Sequence, residues 1–155
     1  MTEADGGGSL DGRELRAWVA FLAAGHLIDH EIEQQLRRDG GLSHPEFEVL
    51  VKLRMAEGGR LRMSDLARQV MVSKSRLTYQ VTQLERARLV RRTGCETDRR
   101  SVWAELTPEG AATLDRVRPG HRRVVRETLL DVLSPEEIDL LGDALSRVAD
   151  RLRSR

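Results

Sequence analysis

The longest run of helically spaced hydrophobic residues lies near the amino end, where residues 10–38 predict one long helix. Its first half is apolar on two sides, one carrying Leu15, Trp18, Val19 and Leu22 and the other Phe21, Leu27 and Ile28. Its second half, residues 31–38, is polar, and Gly40-Gly41 ends it. A helix that is apolar most of the way round is buried on both sides, so the pattern predicts contact with a second subunit.

A capping box predicts the start of the next helix, because Ser43 can cap it and Glu46 can reach back to the cap. Its apolar face consists of Phe47, Leu50, Val51 and Leu53. Gly58-Gly59 follows its end. Residues 60–63 then predict a short strand that can pair with strands further along the chain.

Two short helices joined by a turn come next. Ser64 is the predicted cap of the first, a turn at Met71-Val72 follows, and Ser73 is the predicted cap of the second. Apolar residues recur in the second helix at steps of four and three, which indicates one buried stripe. That stripe consists of Leu77, Val81 and Leu84.

The opposite face of the second helix is polar and almost free of acids. It carries Ser75, Arg76, Tyr79, Gln80, Thr82, Gln83 and Arg86. Arginine, glutamine, serine and threonine can reach base edges in the major groove of DNA, so this helix is predicted to be a recognition helix. The best candidates for base readout are Ser75, Arg76, Tyr79 and Gln80, whereas Lys74, near the helix amino end, is a candidate for phosphate contact.

Two strands joined by a basic loop are predicted after this helix. Residues 89–93 and 102–106 form the strands, and Arg99 and Arg100 lie near the tip of the hairpin. Guanidinium groups there can contact phosphates or enter the minor groove, although solvated surface arginines are the simpler alternative. A helix-turn-helix followed by such a hairpin predicts a winged helix.

The remaining helices follow the wing. Thr107-Pro108 starts one by the cap-then-proline rule, and Pro119-Gly120 is expected to kink it because the apolar period resumes at once. A capping box at residues 134–137 starts the last helix. Its apolar residues are spaced as in a coiled-coil seam and are Ile138, Leu141, Leu145, Val148 and Leu152.

These elements predict a mainly α-helical fold with a small β wing. Residues 1–9 are predicted as a disordered tail and residues 10–155 as one domain. A winged helix-turn-helix at about 44–106 would lie between dimerisation helices at about 10–38 and 108–154. A homodimer would bury the stripes of these flanking helices and present two recognition helices to a palindromic site, about one DNA turn or ~34–36 Å apart.

The distribution of charge adds weight to the DNA-binding hypothesis. The formal net charge is only +1, yet residues 60–101 carry +7 and the rest of the chain −6. A basic segment within an otherwise acidic chain is typical of a DNA-binding protein. Here the excess of positive charge falls on the predicted helix-turn-helix and wing.

Four segments, in this order and spacing, resemble the MarR family of bacterial transcription regulators. They are the run from Leu66 to Glu85, Leu89-Val90-Arg91-Arg92, Asp98-Arg99-Arg100 and Leu106-Thr107-Pro108-Glu109-Gly110. The resemblance covers nearly the whole chain and implies a dimeric regulator with a ligand pocket between its two regions. It also implies that Arg100 enters the minor groove, supported by Asp98.

The complete predicted DNA-binding set follows from these arguments. It consists of Ser73, Lys74, Ser75, Arg76, Tyr79, Gln80, Gln83, Arg86, Asp98, Arg99 and Arg100. The chain departs from the family at Met71 and Arg88, where the family often has glycine, so these two side chains are expected on tight backbone.

The first helix also offers candidate ligand-binding residues. His26 and His30 have a spacing that suits two metal ligands, but no further Cys or His cluster completes a site, so no metal or cofactor is expected. A cleft for a small, aromatic effector is the other hypothesis, with ordinary core packing as its alternative. Its lining would be Trp18, Phe21, His26, His30 and Phe47.

The single cysteine, Cys95, excludes an intramolecular disulfide and lies in the predicted wing among arginines. Such surroundings favour the thiolate and allow an oxidation switch. Peroxide-sensing relatives carry their cysteine in the first helix, where this chain has none, and this favours an incidental role.

Other classes of function are disfavoured. The chain has no glycine-rich phosphate loop, nucleophile motif or convergent carboxylate pair, so an enzyme is not expected. No signal-peptide pattern and no apolar run near the ~20 residues of a membrane span occur, so a cytoplasmic protein without membrane contact is expected.

The predicted function is a ligand-responsive repressor that binds a palindromic operator as a homodimer. A sequence-independent architectural DNA-binding protein and a redox regulator acting through Cys95 remain as alternatives. A winged helix used only for protein contacts would present an acidic or apolar recognition face, and this face is neither.

Overall fold

The computed structural model describes residues 9–94 and 101–154, so all but the last residue of the predicted tail lies outside it. The helices are α1 (Gly12–Gly40), α2 (His44–Met55), α3 (Met63–Gln69), α4 (Lys74–Arg86), α5 (Pro108–Thr128) and α6 (Pro135–Arg153). The strands are β1 (Arg60–Arg62), β2 (Val90–Gly94) and β3 (Val102–Leu106). The predicted fold class, mainly helical with a small β wing, is confirmed.

Local capping explains where the long helices begin and end. Asp11 caps α1 in a capping box with Glu14, and Gly41 ends it in the left-handed conformation at φ 68°. The predicted boxes at Ser43 and Ser134 are both confirmed. Helix α5 starts at Pro108 after its Thr107 cap, as predicted, and does not end at Pro119. The expected kink there stays a prediction.

The predicted cap of α3 is wrong. Ser64 lies inside the helix, which begins at Met63 and is preceded by Arg62 without a side-chain cap. The reason is tertiary, because Arg62 is the last residue of β1 and pairs with Trp103 of β3. The sheet fixes the backbone up to Arg62, so the helix starts at the next residue.

The three strands form an antiparallel sheet in the order β1-β3-β2. Strand β1 supplies the predicted third strand, and β2 and β3 form the predicted hairpin with Val90 opposite Leu106. The core lies beneath this sheet and extends to the junction of α1 with α5. Its most deeply buried apolar side chains include Leu36, Leu50, Leu53, Leu66, Leu77, Val81, Leu84, Leu114 and Val117.

The second half of α1, polar in sequence, enters this core. Gln35 is only 1% exposed, and its Nε2 donates to the Val117 carbonyl oxygen at 3.1 Å and to Asp39 Oδ2 at 2.9 Å. A β-carbon on Gly120 would lie 2.6 Å from that same Nε2. Helices α1 and α5 therefore approach closely here, and a glutamine that looked like a surface residue joins them.

The first half of α1 and all of α6 present apolar side chains to solvent in this chain. Trp18 and Phe21 stack with ring centroids 6.1 Å apart while each remains about half exposed. Helix α6 contributes no buried residue, and Leu152 on its predicted seam is 60% exposed. Within residues 9–94 and 101–154, no helix is both long and apolar enough to cross a membrane.

Candidate nucleic-acid interface

The turn before α4 has the geometry that its sequence predicts. Ser73 Oγ accepts from the Arg76 backbone N–H at 3.3 Å, which confirms the cap, and lies 3.1 Å from Ser75 Oγ. Met71 in this turn and Arg88 after the helix have φ values of 54° and 62°. Both side chains therefore sit on left-handed backbone, as expected for positions where glycine is usual.

The outward face of α4 is exposed and contains no acid until its last turns. Its exposed members are Lys74, Ser75, Arg76, Tyr79 and Arg86, while Thr82 and Gln83 are partly buried. The arrangement allows hydrogen-bond donors and cations of one helix to project together from the protein surface. This face remains the best candidate for insertion into a major groove.

Gln80 does not belong to that exposed face. It is only 6% exposed, and its Oε1 has no hydrogen-bond partner among the residues described. It lines a cleft of about 340 Å³ between α4 and the α1–α2 junction. The cleft is also lined by Arg37, Ser43 and Glu46 on one side and by Arg76, Tyr79 and Gln83 on the other. Burial by a neighbouring element explains why the helical pattern of α4 alone placed Gln80 wrongly.

An ion pair holds the wing against the recognition helix. Arg92 on β2 donates from its backbone N–H to Glu85 Oε1 at 3.0 Å and from Nε to Oε2 at 2.8 Å. Its Nη2 also donates to Thr82 Oγ1 at 3.3 Å. The hydrogen bonds from Arg92 and its charge hold the pKa of Glu85 below the ordinary value, against the opposing effect of burial. Arg92 thus positions the wing strand and is not free for DNA.

We expect the Glu85→Gln substitution to destabilise the protein in a pH-dependent way. A carboxylate whose pKa is lowered in the folded state contributes stability above its unfolded pKa and loses it as the pH falls through the lower folded value. Unfolding midpoints from about pH 7 to about pH 3 should show wild type and variant differing most near neutrality and converging in acid.

The control for this titration is Glu48→Gln. Glu48 is exposed on α2 and has no ion pair among the described residues. This variant should track wild type throughout the titration. A constant gap between wild type and Glu85→Gln at every pH would contradict the assigned role of the ion pair.

A second carboxylate neutralises part of the basic surface on the outer face of the sheet. Glu105 on β3 accepts from Arg91 Nη2 at 2.6 Å and from Thr93 Oγ1 at 3.0 Å, and lies 3.9 Å from Arg60. The Arg91 hydrogen bond is the main reason that the pKa of Glu105 lies below its ordinary value. The local charge excess counted from the sequence therefore overstates the cations that are available to DNA.

Four residues predicted to act at the wing lie outside the residues described. They are Cys95, Asp98, Arg99 and Arg100. The minor-groove contact and the redox alternative therefore remain predictions.

The residues proposed to line an effector pocket fall into different surroundings. Phe47 is buried and its ring centroid lies 4.5 Å from that of His121, whose pKa is lowered mainly by burial. Trp18 and Phe21 form the exposed stack, and His30 Nε2 lies 2.5 Å from Gln34 Nε2. In the part of the chain that the structure describes, no three His, Cys, Asp or Glu residues group as metal ligands.

A family model described as the MarR family matches residues 42–102. AbsC, a MarR family transcriptional regulator from Streptomyces coelicolor, has a TM-score of 0.91 at 42% identity, with coverage of 96% of this chain and 100% of AbsC. Sco3205, a second regulator from that organism solved in complex with DNA, has a TM-score of 0.92 at 37% identity, covering 96% and 93%.

A relative found by sequence similarity is also a transcriptional regulator. The HTH-type transcriptional regulator PecS of Dickeya dadantii (strain 3937) is 37% identical over 127 residues, or 81% of this chain and 75% of PecS. The similarity therefore extends well beyond the winged helix and includes flanking helices on both sides.

Proposed function

This chain belongs to the MarR family of transcriptional regulators, and from that membership we propose that it is a homodimeric repressor of a palindromic operator. The observation that carries the proposal is the exposed, acid-poor face of α4. Arg76 and Tyr79 project from it together, with Lys74 beside the Ser73 cap. Such a face supplies donors to base edges and a cation to a phosphate, as a recognition helix must. We infer a regulator rather than an enzyme, acting in the cytoplasm where the operator lies.

The dimer is supported by the apolar side chains that this chain leaves uncovered. They lie on the first half of α1 and on α6, and include Leu15, Trp18, Val19, Phe21, Leu145, Val148 and Leu152. Exposed apolar surface of this extent is characteristic of an interface between subunits. Two-fold pairing of these helices would hold two copies of α4 for the two half-sites of a palindrome.

A small effector is the proposed signal for release from DNA. The cleft behind α4 contains Gln80 Oε1, a buried acceptor without a partner among the described residues, and a polar ligand could donate to it. Arg76 and Tyr79 line the same cleft and also belong to the proposed DNA face. The effector would bind more tightly to a dimer conformation whose recognition helices are not spaced for the operator. At saturation it would lower operator affinity by the ratio of its affinities for that conformation and for the DNA-binding conformation.

The first test is the selection of bound sequences from a random duplex pool, followed by a salt titration on the enriched duplex. A palindrome with half-sites about one turn apart supports the proposed repressor. Salt-sensitive binding without an enriched sequence would instead favour the architectural alternative. The absence of any DNA binding would contradict both.

We expect Arg76→Ala and Arg100→Ala to weaken DNA binding in different ways. Arg76→Ala should relax preference at one base position by ~1–3 kcal/mol if its contact is bidentate. Arg100→Ala, at the predicted minor-groove residue, should weaken binding to all sequences and flatten the salt dependence. Affinities for the selected operator and for single-base variants, measured at several salt concentrations, separate the two effects. Unchanged affinity in both variants would rule out the proposed docking.

A further inference from the structure

Arg62 differs from the neighbouring arginines of the three-stranded sheet because it has no carboxylate partner among the described residues. Arg60 and Arg91 lie beside Glu105, and Arg92 is bound by Glu85. Arg62 is exposed, and within residues 9–94 and 101–154 it forms no ion pair that would balance its charge. A cation left unpaired at a protein surface is available to a ligand of opposite charge.

The side chain of Arg62 is nevertheless held in place. Its guanidinium carbon lies 5.5 Å from the ring centroid of Trp103, the residue opposite it in the sheet. Arg60, two residues earlier and on the same face of β1, lies 5.0 Å from that centroid. An aromatic ring attracts a guanidinium without neutralising it, so Trp103 can orient Arg62 and leave its N–H donors unused.

The two arginines on this ring face different parts of the surface. Arg62 lines a cleft of about 270 Å³ between α4 and the wing, together with Thr78 of α4 and Val102 of β3. Arg60 lines a separate cleft, on the side of α2, with Lys52 and Glu57. Of these two arginines, Arg62 is therefore the one that lies between α4 and β3. Arg92 lines the same cleft but is bound by Glu85.

We propose that Arg62 is a further DNA-contacting residue, which binds a backbone phosphate and is positioned by Trp103. The inference rests on the proposed operator binding. If α4 occupies a major groove and the wing reaches the adjacent minor groove, one sugar-phosphate strand separates the two grooves. That strand passes over the cleft between α4 and the wing. Arg62 offers this strand, from inside the cleft, a guanidinium whose N–H donors have no carboxylate partner among the described residues. A phosphate contact of this kind adds affinity and register without reading sequence.

The chain supplies its own matched control, because Arg60 and Arg62 share a strand, an aromatic neighbour and a charge. We expect Arg62→Gln to weaken binding to the selected operator and to an unrelated duplex roughly tenfold, and to reduce the slope of log affinity against log salt by about 1. Arg60→Gln should change affinity less than about twofold and leave the slope unchanged. Both measurements are made on the full chain by fluorescence anisotropy, with thermal unfolding as a check on folding.

A second pair of variants tests the positioning role of Trp103. Trp103→Leu should weaken binding about threefold in the wild-type background and add nothing when Arg62→Gln is already present. A purely structural role would lower affinity equally in both backgrounds.

The outcomes separate this inference from the function on which it rests. Equal effects of Arg60→Gln and Arg62→Gln, with wild type still selecting a palindrome, would overturn the role of Arg62 and leave the repressor proposal intact. Failure of the wild-type protein to bind any duplex would overturn both.

Discussion

Alanine in place of Gly110 is expected to destabilise the protein by about 2–3 kcal/mol, the upper part of the range for forcing an added methyl group into close-packed structure. A β-carbon at this position would lie 2.1 Å from the Leu89 carbonyl oxygen and 2.8 Å from Leu106 Cδ1. The carbonyl belongs to the backbone and cannot rotate away. It is also held by the Thr107 N–H at 3.1 Å, so relief requires the start of α5 to move away from the wing.

Urea denaturation of the purified protein measures this effect directly. Gly12→Ala is the matched control, because a β-carbon on Gly12, the first residue of α1, meets nothing within 4 Å. The control should shift the unfolding free energy by no more than ~0.5 kcal/mol. Equal stability of the two alanine variants would show that the α5–wing contact is looser than the structure places it.

The second large effect is expected from charge on the α6 seam. The double substitution Leu145→Glu and Leu152→Glu places two carboxylates one heptad apart on the face proposed to meet the partner subunit. Burying them in an apolar interface is costly, so the protein should become monomeric. Operator affinity should then fall at least about a hundredfold, since binding of the second half-site is no longer intramolecular. Sedimentation equilibrium and operator titration measure the two consequences.

Folding of the protomer should survive these changes, because α6 contributes no residue to the core. The matched control is Ser146→Glu with Arg147→Glu, which adds two carboxylates to the opposite, exposed face of the same helix. This control should remain dimeric. A seam variant that stays dimeric would place the subunit interface elsewhere.

Local sequence was sufficient to predict nearly all of the elements. Capping boxes at Ser43 and Ser134 and the cap at Ser73 act within one turn of chain, so they can be recognised without knowledge of the fold. The buried stripe of α4 follows from helical periodicity alone. The start of α3 is the exception: its cap is Arg62, two residues before the predicted Ser64, because pairing of β1 with β3 overrides the preference of Ser64 for a cap.

The candidate site was less accessible to sequence reasoning. The exposed members of the α4 face were identified correctly, yet Gln80 is buried because the α1–α2 junction packs over its side of the helix. Arg91 and Arg92 were counted among the available cations, although carboxylates on β3 and α4 bind them. No local pattern distinguishes Arg62, since its isolation from acids and its place between α4 and the wing exist only after β1 joins the sheet.

Local patterns in the sequence therefore specify the helices, most of their caps and most of the face of α4 that projects outward. Each of these depends on interactions between residues that are at most a few positions apart, and such interactions leave a periodic or local pattern in the chain. Packing between distant elements sets which polar residues are buried and which arginines keep their charge available. Glu85 and Arg92 are seven residues apart, Arg91 and Glu105 fourteen, and Gln35 and Val117 eighty-two. Pairings at those separations depend on how distant elements pack against one another, and no local sequence pattern predicts that packing.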